Sequence, residues 1–252
     1  MSANAPASAA ALPPFFKSPT LLRFPDHRLI GLRDGVAYGF AREATALPLL
    51  ASEFVHAQRS YPIVFSTDEG AAPLAVTGLT AGENLFVGKD AAWSNGDYIP
   101  GYVRRYPFIG ITQAAGEGIM LGLDLSAAHV STDAARDGAR PLFAEDGSAT
   151  ETAKAAIAFC EAYAVDHDRT RAFCAALEAE KLLVAREARV ALPDGTEKLI
   201  QGFRLIDQAA FRALSGATLE TFHKNGWTDL IILHLASQQA WRGLVARAFP
   251  SE

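Results

Sequence analysis

Cysteine is almost absent from this chain: Cys160 and Cys174 are the only two in 252 residues. That excludes a disulfide scaffold of the kind small secreted domains depend on. Both fall in apolar sequence that reads as helical, where they act as buried free thiols and small hydrophobes. Long apolar runs are missing too. The most apolar window, Leu230 to Ala236, is followed at once by Gln238, Gln239 and Arg242. It falls far short of the about 20 residues a membrane span requires. Nor is positive charge in excess, since 23 Lys and Arg against 28 Asp and Glu leave a net charge of −5. A nucleic-acid surface needs clustered basic residues, and here they are scattered among acids, so no nucleic-acid partner is expected.

Recognisable catalytic motifs are also lacking. The six histidines, His27, His56, His129, His167, His223 and His234, never occur at HxH, HxxxH or HExxH spacing, so no single helix or strand presents two imidazoles to a metal. His234 lies in an apolar run and reads as a core histidine. His167 between Asp166 and Asp168 imitates a base with its orienting acid, but a break between two helices explains it more simply. There is no GxSxG, no cysteine with a local histidine, no phosphate loop, no dinucleotide fingerprint and no calcium-loop register. No cofactor is implied, and only a metal site assembled from distant residues stays open. The first 19 residues are rich in Ala, Pro and Ser and carry no basic stretch before an apolar run. They read as a disordered arm, not a signal peptide, and the expected location is cytoplasmic, with export by a dedicated system left open.

Half of the residues are apolar and a fifth are charged, which is ordinary globular composition. A chain of this length buries roughly 70–75 % of its unfolded surface and needs no staples. Asp34-Gly35 between Leu29–Leu32 and Val36–Phe40 signals a hairpin. Leu47 to Arg59 has helical apolar spacing, with Pro48 in its first turn. Strands are expected at Tyr61–Phe65, Leu74–Leu79, Leu85–Val87, Pro107–Thr112 and Ile119–Leu123, the last two joined through Gly116-Glu117-Gly118. After a turn at Phe143–Gly147, Ser148 or Thr150 can cap a helix. Ala153–Val165 and Thr170–Leu183 read as two helices, with Asp168 capping the second. A hairpin through Pro193-Asp194-Gly195-Thr196 joins Val184–Leu192 to Leu199–Ile206. Asp207 opens a short helix, Thr218–Lys224 forms another that stops at Asn225-Gly226, and one long helix closes the chain from Thr228 to Phe249. The fold class is therefore α+β: an N-terminal, mostly antiparallel β region over residues 20–145, then a helix-rich region over 146–252 containing one hairpin, the two sharing a core.

The stretch Gly82 to Gly110 stands out. Its 29 residues hold Trp93, Tyr98, Tyr102, Tyr106, two Phe and the only Arg-Arg pair in the chain, Arg104-Arg105. Rings beside guanidiniums can stack on and grip an anion or a flat ligand. The same residues can equally form an ordinary core edge, with Arg104 and Arg105 on alternate faces of one strand. As a recognition pocket the candidate ligand-binding residues are Asn84, Trp93, Tyr98, Arg104 and Arg105, suited to a small molecule, peptide or glycan.

These residues also carry a resemblance. YPIVF from Tyr61, GLTAGENLFVGKDAAW, YIPGYVRRYPF and LFAEDG from Leu142 resemble the bacterial SapC family, as do the later GFRLIDQAAFRAL and LIILHLASQQAWRGL. The resemblance runs from about Phe40 to Arg247. It implies an association with surface-layer formation, and an accessory role beside outer-membrane receptors and flavin-dependent halogenase-like enzymes. It brings no catalytic residues. The expected function is a non-catalytic accessory or binding protein of surface-layer or outer-membrane uptake systems, with a protein of such a system as a further possible partner. The alternatives are an enzyme with a dispersed site, of non-haem metal oxygenase type, and a structural assembly subunit.

Overall fold

Proline and alternating apolar residues break the first half of the chain into short strands, while an alanine-rich run after Thr150 sustains long helices. The computed structural model describes residues 12–35, 37–112, 119–191 and 197–250. In chain order its elements are β1 (Pro19–Leu21), β2 (Gly31–Leu32), β3 (Ala46–Pro48), α1 (Phe54–Ala57), β4 (Ile63–Ser66), β5 (Pro73–Val76), α2 (Gly101–Arg105), β6 (Phe108–Thr112), β7 (Ile119–Asp124), β8 (Val130–Ser131), α3 (Ala134–Asp137), β9 (Arg140–Pro141) and α4 (Glu151–Ala179). Then follow β10 (Leu183–Ala191), β11 (Glu197–Ile206), α5 (Gln208–Arg212), α6 (Gly216–Lys224), α7 (Trp227–Ser237) and α8 (Ala240–Ala248). Strand pairings among the described residues are antiparallel, and strands dominate the first half and helices the second. The fold is α+β, as the sequence pattern implies.

Several local expectations give way to tertiary demands. Leu47 and Pro48 lie in β3, an edge strand paired with β5, where an absent N–H costs no ladder bond. Helical geometry begins only at the 3-10 turn Ala51–Glu53 and continues through α1. β2 pairs with β8 and β9 rather than with the segment after Asp34-Gly35, and Gly39–Ala41 is a 3-10 turn. Leu85–Val87 forms no strand, and only Val87 bridges to Trp93. Asp166-His167-Asp168 breaks nothing, because α4 runs through it with Asp166 and Asp168 paired to Arg169 and Arg171 one turn on. The closing helix is interrupted at Gln238-Gln239. There Ser237 Oγ accepts the Ile63 N–H at 3.1 Å, and Gln238 Nε2 donates to the Ile63 carbonyl at 2.9 Å, which ties the end of α7 to β4. Thr150 does cap α4 and Asp207 caps α5. The turns at Gly116-Glu117-Gly118 and Pro193–Thr196 lie outside the described residues, as do the first 11 residues of the arm.

Contacts cluster into two compact units, each built from two stretches of chain: Met1–Asp34 with Tyr106–Ile157, and Gly35–Arg105 with Ala158–Glu252. The first contains the sheets β1-β7-β6 and β8-β2-β9. Its core includes Leu123 and Leu142, both fully buried. Gly31 is required there, since a Cβ would sit 2.6 Å from both the Ala134 Cβ and the Arg140 carbonyl oxygen. At the end of β7 the buried Asp124 carboxylate accepts the N–H groups of Lys17 (2.7 Å), Ser18 (3.2 Å) and Ser126 (3.0 Å) and the Ser126 hydroxyl (2.6 Å). Asp137 accepts from Arg33 (2.5 Å), Ser131 (2.8 Å) and Arg136 (2.9 Å).

The second unit is built on the sheet β10-β11-β4-β5-β3. Phe173 of α4 is fully buried, with its ring 6.3 Å from Phe54 and 6.4 Å from Phe65. His234 of α7 is also fully buried, with its ring 5.2 Å from Phe65 and neither ring nitrogen hydrogen-bonded among the described residues. Desolvation lowers its pKa to about 3, so it is a neutral core residue.

The first unit should lose stability in acid. Hydrogen bonds from Arg136 and Ser131, with Arg33 beside them, hold the Asp137 carboxyl down at about 2. Burial alone would raise Asp124, yet its bonds from Ser126, Lys17 and Ser18 leave it below the ordinary value. A folded-state pKa below the unfolded one stabilises the protein above the unfolded value of about 4, and that contribution fades as pH falls through the folded value. Urea midpoints followed by circular dichroism should therefore drop between about pH 4 and pH 2. Asp137→Asn should make that drop shallower, and an unchanged slope would contradict the assignment.

Candidate functional site

On α4, Phe159, Ala162, Tyr163 and Asp166 fall at i, i+3, i+4 and i+7 and so share one face of the helix. Facing them across a cleft of about 180 Å³ are Leu50, Ser52, Glu53, Tyr98, Gly101 and Arg104. All of these residues belong to the second unit.

Glu53 anchors the cleft. Its side chain is only 6 % exposed. One carboxylate oxygen accepts the Leu50 N–H at 2.8 Å, and the other accepts the Gly101 N–H at 2.6 Å and the Tyr98 hydroxyl at 2.8 Å. The Arg104 guanidinium lies 3.9 Å away. Burying a carboxylate is costly unless its oxygens are filled by donors, and here four groups converge on it. The turn Leu50–Glu53 and the start of α2 are thereby held on one anion.

Tyr98 stands between two charged neighbours. Burial and the adjacent Glu53 raise its pKa to about 12, so the phenol keeps its proton and donates it to Glu53. Arg104 Nη2 donates to the same phenol oxygen at 3.0 Å, and His56 stacks on the ring at 5.5 Å. The Tyr98 backbone is fixed from behind. Its carbonyl accepts the Tyr61 hydroxyl, and Trp93 Nε1 donates to that hydroxyl at 3.2 Å. Trp93 is thus a buried support, packed near Tyr38 and Phe86, and not part of the cleft wall. Asn84 is buried too: its amide donates to Ala41 and accepts from Phe86 N–H, which holds a loop in shape.

The Arg pair lies on the short helix α2 rather than on a strand. Arg104 Nε donates to the Ile99 carbonyl at 3.0 Å, and the guanidinium carbon lies 5.6 Å from the Tyr98 ring centre and 5.3 Å from that of Phe159. Its side chain is 44 % exposed, and Nη1 has no partner among the described residues. Arg105 packs over Tyr163 at 4.4 Å and Tyr102 at 5.0 Å and bonds the Tyr102 hydroxyl. Tyr98 and Arg104 therefore share the cleft, Arg105 lies beside it among rings, and Trp93 and Asn84 are in the core.

At the far end, Asp166 accepts the Ser52 hydroxyl at 3.0 Å and Arg169 at 3.0 Å. One turn on, Thr170 accepts the Ala51 N–H at 2.9 Å, which docks the 3-10 turn on α4. Glu53, Ser52, Phe159, Tyr163 and Asp166 are absent from the sequence-derived candidates. The i, i+4 ring pair on an Ala-rich helix was a readable signal, whereas nothing around Glu53 marks it. Burial raises the thiol pKa of Cys160 to about 11 and of Cys174 to about 12, so neither is a poised nucleophile. No group of three or more His, Cys, Asp or Glu among the described residues is placed to hold a metal ion. No helix among them is long and apolar enough to cross a membrane.

Replacing Glu53 by Ala strands two buried N–H groups and a phenol. The expected loss is about 2–4 kcal/mol in urea unfolding, against about 1 kcal/mol for Tyr98→Phe, which leaves the two N–H bonds in place. Equal losses from the two variants would show that the carboxylate is not the hub.

No curated protein and no solved structure matches this chain. The family model named SapC matches residues 22–244, which cover most of both units and every residue of the cleft. The chain belongs to the SapC family.

Proposed function

We propose that this protein is a non-catalytic accessory binding protein of surface-layer or outer-membrane uptake systems, and that it recognises a small molecule, peptide or glycan end in the Glu53–Tyr98–Arg104 cleft. One observation carries the proposal: a half-exposed guanidinium, braced on two rings and a carbonyl, keeps a free edge at a pre-formed cleft. Such bracing removes much of the entropy that a long side chain otherwise loses on binding. The accessory part of the reading is what resemblance to the SapC family implies, and the chain belongs to that family.

The state of two cleft groups supports a binding role. The buried carboxylate of Glu53 is filled by backbone and phenol donors, and the Tyr98 phenol keeps its proton. Neither is left to exchange a proton with a substrate, as a general acid or base must.

Thermal unfolding against a panel of amino acids, peptides, carboxylates and oligosaccharides tests the site. A ligand should raise the wild-type Tm and leave that of Arg104→Ala unmoved, each shift being read against the same variant without ligand. If every ligand that shifts the wild type shifts Arg104→Ala equally, the site lies elsewhere.

A further inference from the structure

We infer that the cleft takes a small zwitterion, an α-amino acid or a dipeptide with an apolar side chain, its carboxylate on Arg104 and its ammonium on Asp166 and Ser52. This rests on the binding role proposed above and specifies what is bound.

The charges lining the cleft decide the class. They are one cation, Arg104, and two carboxylates, Glu53 and Asp166. A phosphate or dicarboxylate would meet one guanidinium and two like charges, and repulsion by the carboxylates would offset its attraction to Arg104. A lone cation would meet Arg104. Glu53 is filled by its internal donors and buried, so the charged groups a ligand can reach are Arg104 and the partly exposed Asp166, the latter already paired with Arg169. Arg104 offers Nη1, with no partner among the described residues. Asp166 is 30 % exposed; one of its oxygens accepts the Ser52 hydroxyl and the other accepts Arg169, each keeps a further lone pair, and the Ser52 oxygen keeps lone pairs for an incoming N–H.

Spacing fixes the size. Arg104 rests over Phe159, and Asp166 is seven residues further along α4, about 10 Å at 1.5 Å per residue. That rise separates backbone positions; less two hydrogen bonds of about 3 Å it is on the scale of a small ligand. That matches an amino acid and, with the reach of both side chains, a dipeptide, but not a longer peptide. The volume agrees, because about 180 Å³ lies below the roughly 300–1,000 Å³ of sites for drug-sized ligands. Between the charges the wall is Leu50, Phe159, Ala162 and Tyr163, which gives an aliphatic side chain an apolar bed.

Isothermal titration calorimetry on the full chain with L-leucine and Gly-Leu, each beside its N-acetylated and C-amidated form, tests this. At least one zwitterion should bind, and removing either charge should weaken it tenfold or more. Arg104→Gln should erase the preference for the free carboxylate, and Asp166→Asn the preference for the free amine. Should Asp166→Asn unfold, the blocked ligands pose the same question on the wild type. Equal binding of the N-acetylated form overturns the zwitterion and leaves an anion site. Silence from all these ligands, with an oligosaccharide or carboxylate protecting the wild type but not Arg104→Ala, overturns the zwitterion and spares the binding role. Silence here together with no Arg104-dependent ligand in the thermal panel overturns both.

Discussion

A carboxylate removed from water must be surrounded by donors or it will not stay charged, and Glu53 is where that constraint organises the second unit. Its donors come from residues three positions before it, from a tyrosine in the loop before α2 and from the first residue of α2. The buried anion thus brings together segments that no hydrophobic pattern would pair. Arg104 then comes close without closing the pair, because its Nη2 is drawn to the Tyr98 phenol and its Nε to a carbonyl. The remaining edge of the guanidinium is left facing the cleft.

The neighbourhood of that anion is stiff in a directional way. Trp93 and Tyr61 act in series on the backbone of Tyr98, Ser60 accepts the Tyr98 N–H, and Thr170 and Asp166 fasten the 3-10 turn to α4. Each is a hydrogen bond from or to a buried or half-buried group, so each penalises displacement by more than its own net strength. Sites held this way bind by shape and charge with little rearrangement. Asp124 and Asp137 do comparable work in the first unit, holding the chain before β1 and the strands around β2 by filled carboxylates.

The aromatic-Arg stretch from Gly82 to Gly110 was conspicuous in the sequence, and its residues play unequal parts. Trp93 and Asn84 are interior, Tyr98 and Arg104 face the cleft, and Arg105 is laid between Tyr102 and Tyr163. The stretch is also divided between the units, which change over at Arg105 and Tyr106. Density of aromatics marks a region where packing is demanding, and which rings remain accessible depends on what packs over them.

Local chemistry determined the α+β class, the antiparallel strands of the first half, the cap at Asp207, the hairpin strands after α4 and the SapC kinship, because each is written in short-range periodicity or in contiguous motifs. The strand at Leu47-Pro48, the unbroken α4 through Asp166–Asp168, the break at Gln238, the exchange of chain segments between the two units and the gathering of Glu53, Tyr98, Arg104, Phe159 and Asp166 were decided only in the tertiary structure. These outcomes rest on bonds between residues up to 175 positions apart, such as Gln238 with Ile63. Neither propensity nor spacing along the chain carries the strength of such a bond, since it exists only once the distant partner has been brought within about 3 Å.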